Sequence, residues 1–347
     1  MEKLAIFGAK SIALGVYRAI HTLYGECQVT AFLVSSLRDN PPVLADLPVR
    51  ELQTFPEKDT CVLIATPEDT HPQIIELLKQ HGFSRYICMD SRRENALMKQ
   101  YYQKLGSFPL LQEDEAALRV YVAKFHRDRS LENSYAMPDW CIPVQAGAAL
   151  TDMRVADLSD DMGENISEKN TNYCELTVLY WLWKNCLAQK YRTDYYGLFH
   201  YRRILQLDES DLRRLKEQRI DVILPYPTLH EPDIREHHAR YIKETDWEAM
   251  LRALQELQPA YAEAFTDIQR QPYMYNYNML IAKAEVLADY CAWLFPILER
   301  TEELSSPRGW ERNDRYIGYL GENLLTLYFM YHREKLNIVH TGRIMLT

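Results

Sequence analysis

The segment DYYGLFHYRR, residues 194–203, runs from an apolar strand-like stretch into His200, Arg202 and Arg203. Cations gathered at a strand end suit a ligand with paired anionic oxygens. The planar guanidinium fork takes two oxygens at once and stays charged, and in many α/β folds the carboxyl end of a strand opens into the ligand crevice. Strict strand alternation would turn only one of the two arginines toward that crevice; as a plain surface feature the pair would form ion pairs. A second group, Gln145, Gly147, Asn165, Ser167 and Asn170, offers amides, a hydroxyl and exposable backbone ahead of an aromatic helix. Such variety suits a polyhydroxylated, phosphorylated ligand, although Asn165 to Asn170 could equally be turn formers leading into a helix. Asn276 and Asn278 flank an expected strand start, where their amides could serve sugar hydroxyls or satisfy edge backbone. Finally, Gly321-Glu322-Asn323 sets a carboxylate at the expected start of a helix, after a glycine turn. Glu322 there is a candidate general base, with Asn323 beside it for a hydroxyl. A helix N-terminus keeps such a carboxylate ionised and burial raises its basicity, and helix capping is the competing role.

These residues need an alternating α/β frame. Residues 3–8, 28–35, 61–66 and 85–89 read as buried strands, with Ile12, Val16, Ile20 and Leu23 at helical spacing between the first two. Thr70, Pro72 and Gly82 mark the ends of another helix. That order predicts a small Rossmann-like domain over residues 1–105. After a charged helix and linker through residue 115, residues 117–125 start a new strand. A mixed α/β domain then extends over 106–347, of ordinary single-domain size. Within it we expect one helix from Asn172 to about Gln189, opened by an Asn172/Glu175 capping box. Leu176, Leu179, Tyr180, Trp183 and Leu187 make its buried stripe, and Trp181 and Trp183 read as core. A charged helix near 208–218, strands at 221–225 and 277–282, and helices at 247–257, 285–299 and 322–332 complete the expectation.

The glycine loop of the first domain fits a dinucleotide poorly. Gly8-Ala9-Lys10 puts lysine where a second glycine would admit the pyrophosphate, and Ser35-Ser36 leaves no acid for a ribose hydroxyl. Lys10 on a phosphate and Arg38 on a 2′-phosphate keep an NADP-linked sugar oxidoreductase open as an alternative. Otherwise the domain is structural or regulatory, and residues 1–105 are expected to be dispensable for ligand binding in the second domain.

A formal charge of −9 excludes a general nucleic-acid binder, which needs a basic stripe. Apolar residues at 47% allow a full core. The seven cysteines show no CxxC spacing, so a reducing compartment and no zinc cluster are expected. His237 and His238 are adjacent and would point apart on a helix. With no leader-like start and no long apolar run, the expectation is a cytoplasmic protein, working near a membrane face.

The second domain resembles a family of glycosyltransferase-like proteins from capsule and exopolysaccharide gene clusters. Their pattern I-P-x-Q-x-G, G-x-N-I-S, K-N, Y-C-E-L-T, Y-W-x-W-K-N and G-L-x-H-Y-R-R falls here at Ile142–Gly147, Gly163–Ser167, Lys169-Asn170, Tyr173–Thr177, Tyr180–Asn185 and Gly197–Arg203. Weaker likeness runs through Tyr277-Asn278-Met279 and Gly321-Glu322-Asn323 to the end. The resemblance implies a GT-A-like fold and transfer of a sugar from a nucleotide-diphosphate donor, UDP-linked, to a glycan or lipid-linked acceptor at the inner membrane face. Some relatives resemble galactofuranosyltransferases. It also implies that His200, Arg202 and Arg203 sit at the donor diphosphate, and that Glu322 stands where inverting GT-A enzymes carry their acid. GT-A enzymes usually end a central strand in Asp-x-Asp, which holds a divalent metal. Here that strand ends in His200-Tyr201-Arg202, so either the arginines neutralise the diphosphate or His200 and distant carboxylates assemble a Mn or Mg site. A non-catalytic polysaccharide-assembly protein is the remaining alternative.

Overall fold

The computed structural model describes residues 3–108, 118–133, 135, 137–187, 193–207, 211, 215, 219–308 and 312–347. The expected helix near 208–218 falls mostly outside the described residues.

Two sheets carry the chain. The first contains β1 (Lys3–Phe7), β2 (Gln28–Val34), β3 (Val43–Leu44), β4 (Leu47–Glu51), β5 (Cys61–Ile64) and β6 (Tyr86–Cys88), in the order β3-β4-β2-β1-β5-β6. All neighbours run parallel except the β3-β4 pair. Residues of β1 and β5 are buried on both faces, as parallel strands under helices must be. The helices here are α1 (Ser11–Leu23), α2 (His71–Gln80) and α3 (Ser91–Leu105). This is the expected Rossmann-like arrangement. Thr70 differs from its expected capping role: its hydroxyl bonds Pro67 O at 2.6 Å, and it makes no cap bond.

The second sheet contains β7 (Leu118–Lys124), β8 (Cys141–Gln145), β9 (Leu158–Ser159), β10 (Tyr195–His200), β11 (Arg203–Leu205) and β12 (Val222–Pro225). A two-stranded β13 (Thr228–Leu229) and β14 (Tyr273–Met274) stand apart. Then β15 (Leu280–Lys283), β16 (Ile338–Thr341) and β17 (Arg343–Met345) complete the set. Its main path is β16-β12-β15-β10-β7-β8-β9, with β11 joining β10 to β17. β10, β7, β8 and β9 are parallel, and β15 is antiparallel to both neighbours. Gly197 lets β10 lie tightly in this sheet. A Cβ there would come within 2.7 Å of Leu280 O and 3.1 Å of Val120 Cγ2.

The helices are α4 (Asn170–Tyr173), α5 (Leu176–Leu182), α6 (Ile234–His238), α7 (Glu244–Leu257), α8 (Pro259–Ile268), α9 (Ala284–Leu304) and α10 (Tyr316–Tyr331). Leu176, Leu179, Leu294, Leu298, Leu324 and Phe329 interlock in the largest apolar cluster, and Trp181 is buried in it as expected.

Four local expectations fail for identifiable reasons. The single helix from Asn172 breaks at Cys174, whose backbone lies at φ 52°, ψ −132°, and α5 then runs into a π-helical turn at Trp183–Leu187. No capping box forms: Asn172 Nδ2 donates to Arg312 O at 2.6 Å, and Glu175 makes no cap bond. The last helix starts at Tyr316, six residues before Glu322, so Gly318 and Gly321 lie inside it as close-packing positions instead of forming a turn. Tyr277 and Asn278 take φ 72° and 48°, which delays the strand to Leu280.

Candidate functional site

A cleft of about 560 Å³ opens at the carboxyl ends of the parallel strands β7, β8 and β10. Strand β7 delivers Lys124 and, just beyond it, Arg127 and Asp128. Strand β10 delivers His200, and the following turn supplies Arg202 and Arg203, while Arg315 comes from the N-cap of α10. Both adjacent arginines line the cleft, against the alternation argument. β10 ends at His200, and a tight turn pairs it with Arg203, so Arg202 lies in the turn instead of on a straight strand. Arg202 Nη1 lies 3.3 Å from Asp69 Oδ2. The Arg203 guanidinium sits 4.5 Å from the centre of the Tyr277 ring. Burial pushes the Asp128 carboxyl up to about 6 against the Phe125 N–H, Lys124 and Arg202, which favour its charge.

The segment Asn276-Tyr277-Asn278 ties the remaining groups together. Asn276 Nδ2 donates to Glu322 Oε2 at 3.0 Å, and its Oδ1 accepts from the Thr228 hydroxyl. The Tyr277 backbone N–H also bonds Glu322. Tyr277 O lies 2.5 Å from His200 Nε2. A carbonyl oxygen can only accept, so Nε2 carries a proton; burial lowers the basicity of this imidazole. Asn278 Nδ2 donates to Glu175 Oε1 at 2.6 Å and to Gly318 O at 3.1 Å. A tyrosine in the left-handed region carries strain of about 1–2 kcal/mol. The hydrogen bonds on both its backbone groups hold it there.

Glu322 is partly buried in the second turn of α10, and its carboxyl is pushed up to about 7. Burial is the largest cause and the Glu175 charge the next, against the Asn276 and Tyr277 hydrogen bonds and Arg203. Glu322 lies beyond the first turn of α10, where the helix terminus acts most strongly. Glu175, expected to be a cap, instead lies 3.8 Å from His200 Nε2 and lines the cleft. The break at Cys174 redirects the chain at this point, and the Cys174 sulfur meets Arg315 Nε at 3.2 Å.

The amide-rich group has a different environment. Asp160, fully buried and not singled out in the sequence, accepts from Gly147 N at 2.8 Å, Ala148 N at 3.0 Å and Ser167 Oγ at 2.5 Å. Gly147 sits at φ 63°, and a Cβ on it would stand 2.8 Å from Asn170. Gln145 is fully buried and braces the loop through Met153 O and Val155 N. Asn165 bonds Asp161 O, Gly163 O and Ser167 N. Gln145, Gly147, Asn165, Ser167 and Asp160 do not line the cleft; they brace the loop from which Ala146 does. Asn170 lines the cleft while bonding Cys174 O and Thr177. Asn323 is buried and donates to Tyr319 O, away from the cleft lining. Sequence reasoning missed Lys124, Arg127, Glu175, Asp160 and Arg315. For Glu175 the signal was its place in Tyr173–Thr177, which a capping role had seemed to explain.

Among the described residues no group of three or more His, Cys, Asp or Glu is arranged to hold a metal ion. His200 Nε2 is engaged by Tyr277 O, and cations surround the strand end. This donor set does not fit a resident Mn or Mg. No described helix is long and apolar enough to cross a membrane.

Fold and cleft together define a GT-A-like α/β protein preceded by a Rossmann-like sheet. Over residues 119–334 the chain matches the family described as "Domain of unknown function (DUF4422)", and it belongs to that family. Among solved structures it is similar to one described as "WbbM bifunctional glycosytransferase apo structure", at 26% identity and a TM-score of 0.57. That match covers 67% of this chain and 45% of the other, so this chain spans under half of the longer protein. No curated protein matches.

Proposed function

We propose that the protein is a glycosyltransferase that moves a sugar from a nucleotide-diphosphate donor to a hydroxyl of a glycan or lipid-linked acceptor. The observation that carries this reading is the convergence of Lys124, Arg127, Arg202, Arg203 and Arg315 on one cleft at the carboxyl ends of parallel strands. Charge-assisted contacts of this kind neutralise a departing diphosphate. The similarity to a bifunctional glycosyltransferase supports the same reading.

In the reaction we propose, the acceptor oxygen attacks the anomeric carbon from the face opposite the diphosphate. The bond from that carbon to the diphosphate oxygen breaks, and its electron pair leaves with the nucleotide. Glu322 takes the acceptor proton. A carboxylate pushed up to about 7 is a far better base than an ordinary one, while still ionised in about half of the molecules at neutral pH. Asn276 and the Tyr277 N–H hold its oxygens, and the charge of Arg203, which lines the cleft, acts on it. An inverting outcome follows from this single-displacement geometry.

The donor is a UDP-sugar on this reading, with UDP-galactofuranose the first to try, and the setting is capsule, exopolysaccharide or O-antigen assembly on the cytoplasmic side of a membrane. The test is product formation from a panel of UDP- and GDP-sugars, accompanied by thermal shift with the free nucleotides. Transfer from at least one donor supports the reading. Nucleotide binding without transfer to any acceptor would leave a sugar-nucleotide-binding assembly protein.

A further inference from the structure

The carboxyl ends of β1 and β5 are where a Rossmann-like sheet takes a dinucleotide, at the N-terminus of its first helix. Here that place is filled by the second sheet. Arg203, Tyr277, Arg343 and Met345 face Ile12, Thr66, Glu68 and Ser91 across a space of about 40 Å³. Ligand pockets commonly measure about 300–1,000 Å³. The seam is hydrogen-bonded throughout. Met345 N donates to Ser91 Oγ at 2.9 Å, Arg343 N to Asn95 Oδ1 at 3.1 Å, and Asn95 Nδ2 returns to Arg343 O at 2.7 Å. Gly342 approaches so closely that a Cβ would stand 2.3 Å from Asn95.

Two carboxylates of the N-terminal domain, Asp69 before α2 and Glu94 on α3, reach through this seam to arginines at or behind the cleft. Asp69 meets Arg202 at 3.3 Å. Glu94 meets Arg343 at 3.5 Å, and Arg343 and Arg203 both lie over the Tyr277 ring, at 5.2 and 4.5 Å. Arg202 stands among Lys124, Arg127 and Arg203, whose like charges would otherwise drive its guanidinium out toward water.

We propose that the N-terminal Rossmann-like domain takes no dinucleotide and instead backs the cationic cleft from behind, with Asp69 holding Arg202 toward the donor diphosphate. Asp69 is a positioning residue, and the inference rests on the donor reading above. It replaces the expectation that residues 1–105 are dispensable for donor binding.

The test is a double-mutant cycle on the full chain, read as the UDP dissociation constant by calorimetry with thermal stability followed in parallel. Asp69→Asn is expected to weaken UDP about fivefold, in the range of a well-placed surface ion pair. Asp69→Glu should restore most of that loss. In an Arg202→Met background Asp69→Asn should change nothing further, which a merely structural role would not produce. If wild type binds UDP and Asp69→Asn binds it equally well, or weakens it equally in both backgrounds, the positioning role is overturned while the donor reading stands. A wild type that binds neither UDP nor GDP overturns both. Saturable NADP binding that Lys10→Ala abolishes would overturn the filled crevice.

Discussion

Glu322 sits under opposing influences. Burial and the nearby Glu175 charge favour the proton, and Asn276, the Tyr277 N–H and Arg203 favour the charge. The net rise to about 7 makes two separate expectations. Glu322→Gln should keep UDP affinity while turnover falls by roughly 10²–10⁴, the usual cost of losing a general base. In the wild type, log kcat/KM should rise with pH and level off above an apparent pKa near 7. The second expectation concerns stability. The folded pKa exceeds the ordinary carboxyl value of 4.5, so the folded state holds its proton longer than the unfolded chain. That contribution is full below about 4.5 and is lost as pH rises through 7. Glu322→Gln should therefore raise the melting temperature at pH 8 relative to wild type and leave it nearly unchanged at pH 4.5. A Gln variant that transfers sugar at the wild-type rate would reduce Glu322 to a buried helix residue.

At the scale of elements, the site depends on how closely β10 lies against its neighbours. Gly197→Ala would drive a methyl into Leu280 O and Val120. Overpacking of this kind costs about 1–3 kcal/mol, measurable as a lower denaturant midpoint, and it should also displace His200 at the strand end. Strand and helix order were largely legible in the sequence, because buried parallel strands read as continuous apolar runs. Cys61–Ile64 is an example. The arginine-bearing strand end was legible for the same reason. The break at Cys174 was not, since a cysteine at positive φ has no sequence signature and Asn172 and Glu175 matched a capping box. Glu175 was thereby assigned a capping bond; it does stand at the N-terminus of α5, but it makes no cap bond and lines the cleft. The start of α10 was misplaced because glycines at 318 and 321 read as a turn, whereas close helix packing also demands them. Asp160 escaped notice because a buried acid bonded to backbone N–H groups looks, in sequence, like any loop aspartate.

Over the whole molecule, a formal charge of −9 surrounds a cleft lined by five cationic side chains. Salt should screen this local potential, so the UDP dissociation constant is expected to rise steadily between low and high KCl, with little effect on unfolding. The N-terminal part meets the second sheet along a seam behind the cleft, so long-range contacts that no local pattern announces, Asp69 with Arg202 and Asn95 with Arg343, back it. The central claim is that these cations hold a nucleotide diphosphate. Its most direct measurement is calorimetric titration of UDP into the wild type and into an Arg202→Ala/Arg203→Ala double variant of matched thermal stability. Loss of two charge-assisted contacts should weaken UDP by about 3 kcal/mol or more, over a hundredfold. Unchanged UDP affinity in the folded double variant would contradict the account.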